Sequence, residues 1–277
     1  MILDGKETKN KIVKELKEKI SEENLVLRLD IIEIGNNEAS ERYIKNKKNT
    51  AKELGIICNV HNLDTEVSEE EVLDLIHKLN NDNDCNGIIV QLPIPKHLNE
   101  DKIIESINPL KDVDGFTNIS IGNLVYGRKT LAPCTSRGII RLLDEYNISL
   151  SGKNITIIGR SVYIGKSLFH LLVNRDATVT LCHSKTKNLE DHLKSSDIII
   201  TAVGKEKFIT KNMINKGVTI VDVSINFDKD GKMCGDCDYE NIKDLCSYIT
   251  PVPGGVGPMT VASIYLNLID AYNMQHK

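Results

Sequence analysis

The sequence predicts an α/β protein of two domains, each built on a largely parallel sheet. Two observations carry this. Short apolar runs of strand character alternate with helix-period segments almost throughout, which is how successive βα units read. Between Asn108 and Pro133 the texture changes to a polar, poorly periodic stretch punctuated by Gly115, Gly122 and Gly127, as at a domain boundary. A chain of 277 residues is long enough for one large or two medium domains, each with its own core.

In the first half, Ile12, Val13, Leu16 and Ile20 form an apolar helical stripe. Leu25 to Ile34 reads as a strand ending at Gly35-Asn36-Asn37. A helix follows from about Ser40 to Leu54, stopped by Gly55 in the C′ position. Ile56 to Val60 is a short strand. Ser68 and Glu71 form a capping box for a helix carrying Val72, Leu75, Ile76 and Leu79. Gly87 to Leu92 is a buried-type strand closed by Pro93 and Pro95. Beyond the boundary, a helix from Thr135 to about Tyr146 leads to strands at Ile155–Ile158, Thr178–Cys182, Ile198–Thr201 and Thr219–Val223. A Pro/Gly loop, Thr250 to Pro258, precedes a closing helix from Met259 to about Tyr272 that is apolar on most sides. Such a helix is buried, and it is expected to pack on the first lobe. The expected domains are 1–133 with the closing helix 259–277, and 134–258.

The bulk properties exclude several classes. The chain is 40 % hydrophobic and 27 % charged, a globular balance, and its formal net charge is −4, the wrong sign for a phosphate-binding surface. The Lys-rich runs Lys9–Lys19 and Lys45–Lys48 look helical, and the first, interleaved with acids, reads as a solvated face. No apolar run approaches the length that spans a bilayer, and Met1 to Lys6 holds no apolar h-region. Seven scattered cysteines suggest free thiols and a reducing cytoplasm. Cys234 and Cys237 form a CxxC, but Gly231, Gly235 and Asp236 mark a loop there, and no second ligand pair is near in sequence, so no metal is expected.

Asn154 to Ile158 is followed at once by Gly159-Arg160-Ser161 and, after Gly165, by a helix through Leu168, Leu171 and Leu172. This strand–glycine loop–helix order is the context of a dinucleotide fingerprint of the Rossmann type. The helix N-terminus offers unpaired N–H groups to a pyrophosphate. The spacing departs from GxGxxG: Ser161 replaces the second glycine, and the last comes one residue late. At the end of the next strand, where an NAD enzyme places an acid against the ribose, this chain has Cys182-His183-Ser184-Lys185. With no carboxylate to repel a 2′-phosphate, and with Arg160 and Ser184 available, the residues favour NADP. His183 reads as a strand-end residue satisfied by backbone.

In the first lobe, Tyr43 and Lys47 lie four apart on the expected helix and share a face. Gln91 stands at the carboxyl end of a buried strand, where open α/β sheets place ligand-binding groups. Asp114 follows in the Gly-containing turn Lys111 to Phe116. A phenol, an amine, an amide and a carboxylate could thus converge on a cleft facing the nucleotide.

These segments together resemble one family, the bifunctional methylenetetrahydrofolate dehydrogenase/cyclohydrolases. The resemblance spans essentially the whole chain. It rests on Tyr43-x-x-x-Lys47, Gly87 to Pro95, Lys111 to Phe116, Pro133-Cys134-Thr135, Gly159-Arg160-Ser161 with Gly165, Cys182-His183-Ser184 and Thr250 to Thr260. It implies that Lys47 is central to a hydrolytic step with Gln91 beside it, that Tyr43 stacks on the folate and that Asp114 binds the pterin. It further implies that Val90, Leu92 and Pro253, Gly254, Gly255, Val256 and Gly257 line the substrate site. Gly159, Arg160, Ser161, Gly165, Ser184 and Ile225 would hold NADP. A homodimer is implied as well.

The expected chemistry is oxidation of 5,10-methylenetetrahydrofolate followed by hydrolysis of the methenyl product. Burial and the cationic substrate would push Lys47 toward its neutral, proton-accepting form. Ser136, Ser167 and Ser224 depart from the pattern, standing where Pro, Pro and Gly are expected. A monofunctional dehydrogenase and a non-catalytic NADP sensor are the alternatives; the set Tyr43, Lys47, Gln91 and Asp114 argues against both.

Overall fold

A computed structural model describes residues 1–35 and 38–276, apart from the side chains of residues 38–40 and 42. The Asn36-Asn37 end of the first expected turn lies outside the described residues. The chain divides into two compact units, one of residues 11–134 and 261–277, the other of residues 1–10 and 135–260.

Helix α1 (Gly5–Glu22), which enters the first unit at Lys11, buries Ile12, Val13, Leu16 and Ile20. Then follow β1 (Arg28–Ile34), α2 (Glu38–Leu54), β2 (Ile57–Leu63), α3 (Glu69–Asn80), β3 (Gly87–Val90) and two short helices, α4 (Glu100–Glu105) and α5 (Asn118–Val125). The three strands are parallel in the order β2-β1-β3. On one face Ile32, Ile34, Ile88 and Val90 pack with Val72, Ile76 and Leu79 of α3 and Ile103 and Ile104 of α4. The Ser68–Glu71 capping box starts α3.

Strand β2 runs beyond the expected Val60 to Leu63. His61 and Asn62 break the apolar pattern, but His61 Nε2 lies 2.8 Å from the buried Asp30 carboxylate, which also accepts from Asn59 Nδ2 at 3.1 Å. Those polar groups are satisfied across the strands, so the strand continues. Strand β1 starts at Arg28 rather than Leu25, where Val26 is exposed. Helices α4 and α5 were hidden in polar sequence; each is started by a side-chain cap, Asn99 and Thr117 respectively.

The second unit holds α6 (Cys134–Glu145), β4 (Asn154–Ile158), a π-helical turn Val162–Lys166, α7 (Ser167–Val173), β5 (Thr178–Cys182), α8 (Leu189–Lys194), β6 (Ile198–Thr201) and β7 (Thr219–Asp222). A hairpin of β8 (Asn226–Phe227) and β9 (Met233–Cys234), then α9 (Tyr239–Ile242), β10 (Tyr248–Ile249) and α10 (Val256–Gln275) complete it, the end of α10 belonging to the first unit. The five-stranded sheet is wholly parallel, in the order β10-β7-β6-β4-β5. The chain moves from β4 outward to β5 and returns to β6 on the other side. The order therefore reverses between β4 and β6, the topological switch point at which open α/β sheets bind ligands.

Two structural boundaries fall elsewhere than the expected ones. Residues 1–10 belong to the second unit, not the first. Leu3 N–H donates to Ile249 O at 2.9 Å and Ile249 N–H to Met1 O at 3.0 Å, so the amino terminus extends the sheet beyond β10. Helix α10 begins at Val256, so Gly257 and Pro258 lie in its first turn. Proline is tolerated there because the first-turn N–H groups have no intrahelical partner.

Candidate functional site

Lys47 sits on the buried face of α2 with Ile44, Ala51 and Leu54, and is only 7 % exposed. Its Nζ donates to Gln91 Oε1 at 3.0 Å. Gln91 follows β3; its backbone N–H donates to Ile32 O at 2.9 Å and its Nε2 to Leu92 O at 2.8 Å, so the amide presents its oxygen to the lysine. The Lys47 carbonyl accepts the buried Tyr265 hydroxyl from α10, which fixes this turn of α2. Tyr43, one turn earlier, is 44 % exposed. Val90 is buried, and Leu92 half-buried.

Asp114 is half-buried. Burial holds its carboxyl above the ordinary range; the Lys47 charge opposes this shift and Asp112 adds to it. Lys47, Gln91 and Asp114 thus form one constellation within the first unit.

The neighbours of Asp114 have different work. Lys111 is buried, and its Nζ caps the end of α3 by donating to Leu79 O, Asn80 O and Asp82 O at 3.0, 2.9 and 2.7 Å. Asp112 is 1 % exposed; Oδ1 accepts from Gly115 and Phe116 N–H, and Oδ2 from Thr117 N–H and Ser120 Oγ. The turn that displays Asp114 is therefore built by Asp112.

In the second unit, Gly159 ends β4 with φ 121°, and a Cβ there would stand 2.5 Å from Ala202 O, just past β6. A Cβ at Gly165 would stand 1.9 Å from Gly159 O. Both glycines are required by close backbone approach at the switch point. The late spacing of Gly165 has a geometric cause. The loop enters its helix through the π-helical turn Val162–Lys166, which takes up one more residue than an α-turn and brings Gly165 back onto Gly159. Arg160, Ser161, Ser184 and Lys185 are exposed around this loop. His183 is held by backbone: Nδ1 accepts Lys185 N–H at 3.1 Å. Ile225 is exposed just beyond β7; Pro253 to Gly255 lead into α10, and Val256 and Gly257 are its first residues, all within the second unit.

All three departures from the expected pattern carry hydrogen-bonded hydroxyls. Ser136 and Ser167, both fully buried, face each other at 2.7 Å between Oγ atoms, and Ser167 Oγ also lies 3.1 Å from Ile164 O. The pair braces α6 against the π-helical turn. Ser224 Oγ donates to Asp236 Oδ2 at 2.8 Å and accepts from Gly204 N–H at 3.0 Å.

The loop around Cys234 and Cys237 is organised by carboxylates. Among the described residues no cluster of ligating side chains could hold a metal ion. Asp236 is fully buried beside Asp222, whose Oδ1 and Oδ2 accept Asp236 and Cys237 N–H at 3.0 and 2.8 Å. Burial pulls Asp236 upward, but bonds from Val203 and Lys205 N–H and the Ser224 and Thr201 hydroxyls outweigh it and hold its carboxyl below the usual range. Burial pushes Asp222 from the ordinary 3.8 up to about 6, against the N–H bonds it receives. Sequence reading saw only a Gly/Asp loop here, because the partners of Asp236 lie 10 to 35 residues away.

A pH dependence follows. Folded Asp222 keeps its proton to higher pH than unfolded Asp222. Its contribution to stability is thus complete below about pH 4 and is lost as pH rises through about 6, a change on the order of 3 kcal/mol. Urea denaturation of wild type and Asp222→Asn between pH 4 and 7 should show the wild-type advantage shrinking over that interval. A pH-independent difference would refute the shift.

Comparison with known proteins agrees with this geometry. Residues 3–114 match the catalytic domain of tetrahydrofolate dehydrogenase/cyclohydrolase, and residues 133–276 match its NAD(P)-binding domain. The bifunctional protein FolD of Thermodesulfovibrio yellowstonii is 47 % identical over 279 aligned positions, covering 100 % of this chain and 98 % of the relative. The crystal structure of the bifunctional enzyme FolD from Campylobacter jejuni superposes with a TM-score of 0.96 at 42 % identity, covering 99 % of both chains. That of Trypanosoma brucei, complexed with NADP cofactor and inhibitor, superposes at 0.94 with 29 % identity, covering 100 % of this chain and 98 % of the other. This chain belongs to the tetrahydrofolate dehydrogenase/cyclohydrolase family.

Proposed function

We propose that this protein oxidises 5,10-methylenetetrahydrofolate to the methenyl form with NADP and hydrolyses that product to 10-formyltetrahydrofolate. The observation that carries the reading is the buried Lys47 amine, 3.0 Å from the Gln91 amide oxygen, in electrostatic reach of Asp114. A nucleotide-binding unit needs none of these groups; a folate hydrolase does.

The second unit fits NADP. The tight Gly159–Gly165 loop admits a pyrophosphate against backbone, the exposed Arg160, Ser184 and Lys185 suit a 2′-phosphate, and no acid follows β5 to repel it. Bound there, a nicotinamide would supply the hydride acceptor that the oxidation needs.

The chain's own residues do the rest. Asp114 accepts paired hydrogen bonds from the aminopyrimidine edge of the pterin and fixes its orientation. Tyr43 stacks on the ring, and Val90 and Leu92 line the substrate. Proximity then supplies much of the rate. Nζ takes a proton of the attacking water, which Gln91 helps place, as the water oxygen bonds to the methenyl carbon; it returns a proton to N5 as the C–N5 bond breaks, and the hydroxyl proton of the carbinol leaves to solvent to give the formyl group. The protein acts as a cytoplasmic homodimer on this reading. Seven free thiols suit a reducing compartment, and among the described residues no helix is long and apolar enough to cross a membrane.

The deciding assay follows reduced cofactor and methenyl product at separate wavelengths, with NADP or NAD and methylenetetrahydrofolate. NADP should support turnover with release of formyl product. Activity with NAD alone would overturn the reading of Arg160 and Ser184, and methenyl accumulating at its spontaneous decay rate would overturn the hydrolase.

A further inference from the structure

We infer that Asp236 is a positioning residue for the nucleotide: it holds the loops after β6 and β7 in the form that receives the cofactor. The inference rests on the NADP-dependent reading above. Both loops leave the carboxyl ends of adjacent parallel strands, the edge at which such sheets bind ligands. The first carries Ala202, whose carbonyl closes on Gly159. The second carries the exposed Ile225 between Ser224 and Asn226.

Asp236 gathers both loops. Its Oδ2 accepts Thr201 Oγ1, Val203 N–H and Ser224 Oγ, each at 2.8 Å. Its Oδ1 accepts Lys205 N–H at 2.8 Å and Asn226 Nδ2 at 3.1 Å. The Ser224 hydroxyl adds a second link, since it also accepts Gly204 N–H from the opposite loop. Every partner of the carboxylate is a donor, so only an acceptor on both oxygens satisfies them; an amide would turn its NH2 against N–H and O–H groups.

Asp236 is itself locked in place. Its N–H donates to Asp222, and a Cβ at the preceding Gly235 would lie 2.1 Å from Asp222 Oδ2. Fully buried, Asp236 touches no ligand and acts through the loop tips, where Val203 and Ile225 are exposed.

The family's two activities supply the control, because methenyl hydrolysis consumes no nucleotide. In the full-length chain, Asp236→Asn should weaken NADP at least about tenfold, in equilibrium titration and in KM alike, because it strands buried donors. Ser224→Ala, which removes one link, should weaken NADP about threefold. For both variants, kcat at saturating NADP and methenyl hydrolysis should stay within about twofold of wild type. Amide exchange at Val203 and Lys205 should accelerate in the nucleotide-free Asp236→Asn chain.

Wild-type NADP affinity in a folded variant overturns the inference. So does hydrolysis falling in step with NADP affinity, which marks a general loss of structure. If Asp236→Asn does not fold, Ser224→Ala decides by the same criteria. A wild-type chain that hydrolyses methenyltetrahydrofolate but binds no NADP sinks the functional reading instead.

Discussion

Lys47→Met should lose methenyl hydrolysis by about 10²- to 10⁴-fold, the range that a positioned proton acceptor contributes, while NADP binding stays unchanged. Methionine suits the test because it is unbranched and apolar, and it replaces a lysine whose stem is already buried with Ile44, Ala51 and Leu54. The helix turn is kept by the Tyr265 bond to the Lys47 carbonyl, which the substitution does not touch. What disappears is the amine at 3.0 Å from Gln91 Oε1, and with it the only acceptor proposed for the proton of the attacking water. Stopped-flow decay of the methenyl absorbance measures the loss, and a parallel NADP titration shows that the second unit is intact. Unchanged hydrolysis would remove Lys47 from the mechanism.

The second large effect is on stability. Asp112→Ala should destabilise the protein by about 3 kcal/mol, read as a lower urea midpoint at constant slope. The carboxylate is buried and accepts Gly115, Phe116 and Thr117 N–H and the Ser120 hydroxyl. Alanine would leave those donors without their acceptor in a dry environment. The same substitution should raise the KM for the folate, because Asp114 rides on the turn that Asp112 organises. Asp114→Ala should do the reverse, impairing folate binding with little change in the midpoint. A loss below about 1 kcal/mol for Asp112→Ala, the size of one ordinary hydrogen bond, would show that the turn is held by other means.

These two aspartates mark the limit of sequence reading at the site. Asp112 and Asp114 are the same residue type in one turn, and the sequence alone pointed to Asp114 as the presented carboxylate without finding a role for Asp112. The role of Asp112 appears only when its acceptor oxygens are traced to four donors downstream. Asp236 was missed for the same reason. By contrast Lys47 and Gln91, 44 residues apart, were both legible: the lysine from its place on an apolar helix face, the amide from its place at the end of a buried strand. Their 3.0 Å contact confirms that they meet.

What the sequence determined by itself was the alternation of parallel strands and helices, the glycine loop between β4 and α7, and the missing acid after β5 that favours NADP. These are local signals, set by side-chain periodicity and by residue type at a single turn, and they survive without knowledge of the partners. Tertiary structure alone decided the rest. Residues 1–10 joined the second unit because backbone bonds to Ile249 extend its sheet. Gly165 returned to Gly159 through a π-helical turn, which rescues an irregular fingerprint. Three serines that broke the expected pattern turned out to be bonded hydroxyls. In each case the deciding group is a hydrogen-bond partner distant in sequence, or a close backbone contact that periodicity does not encode.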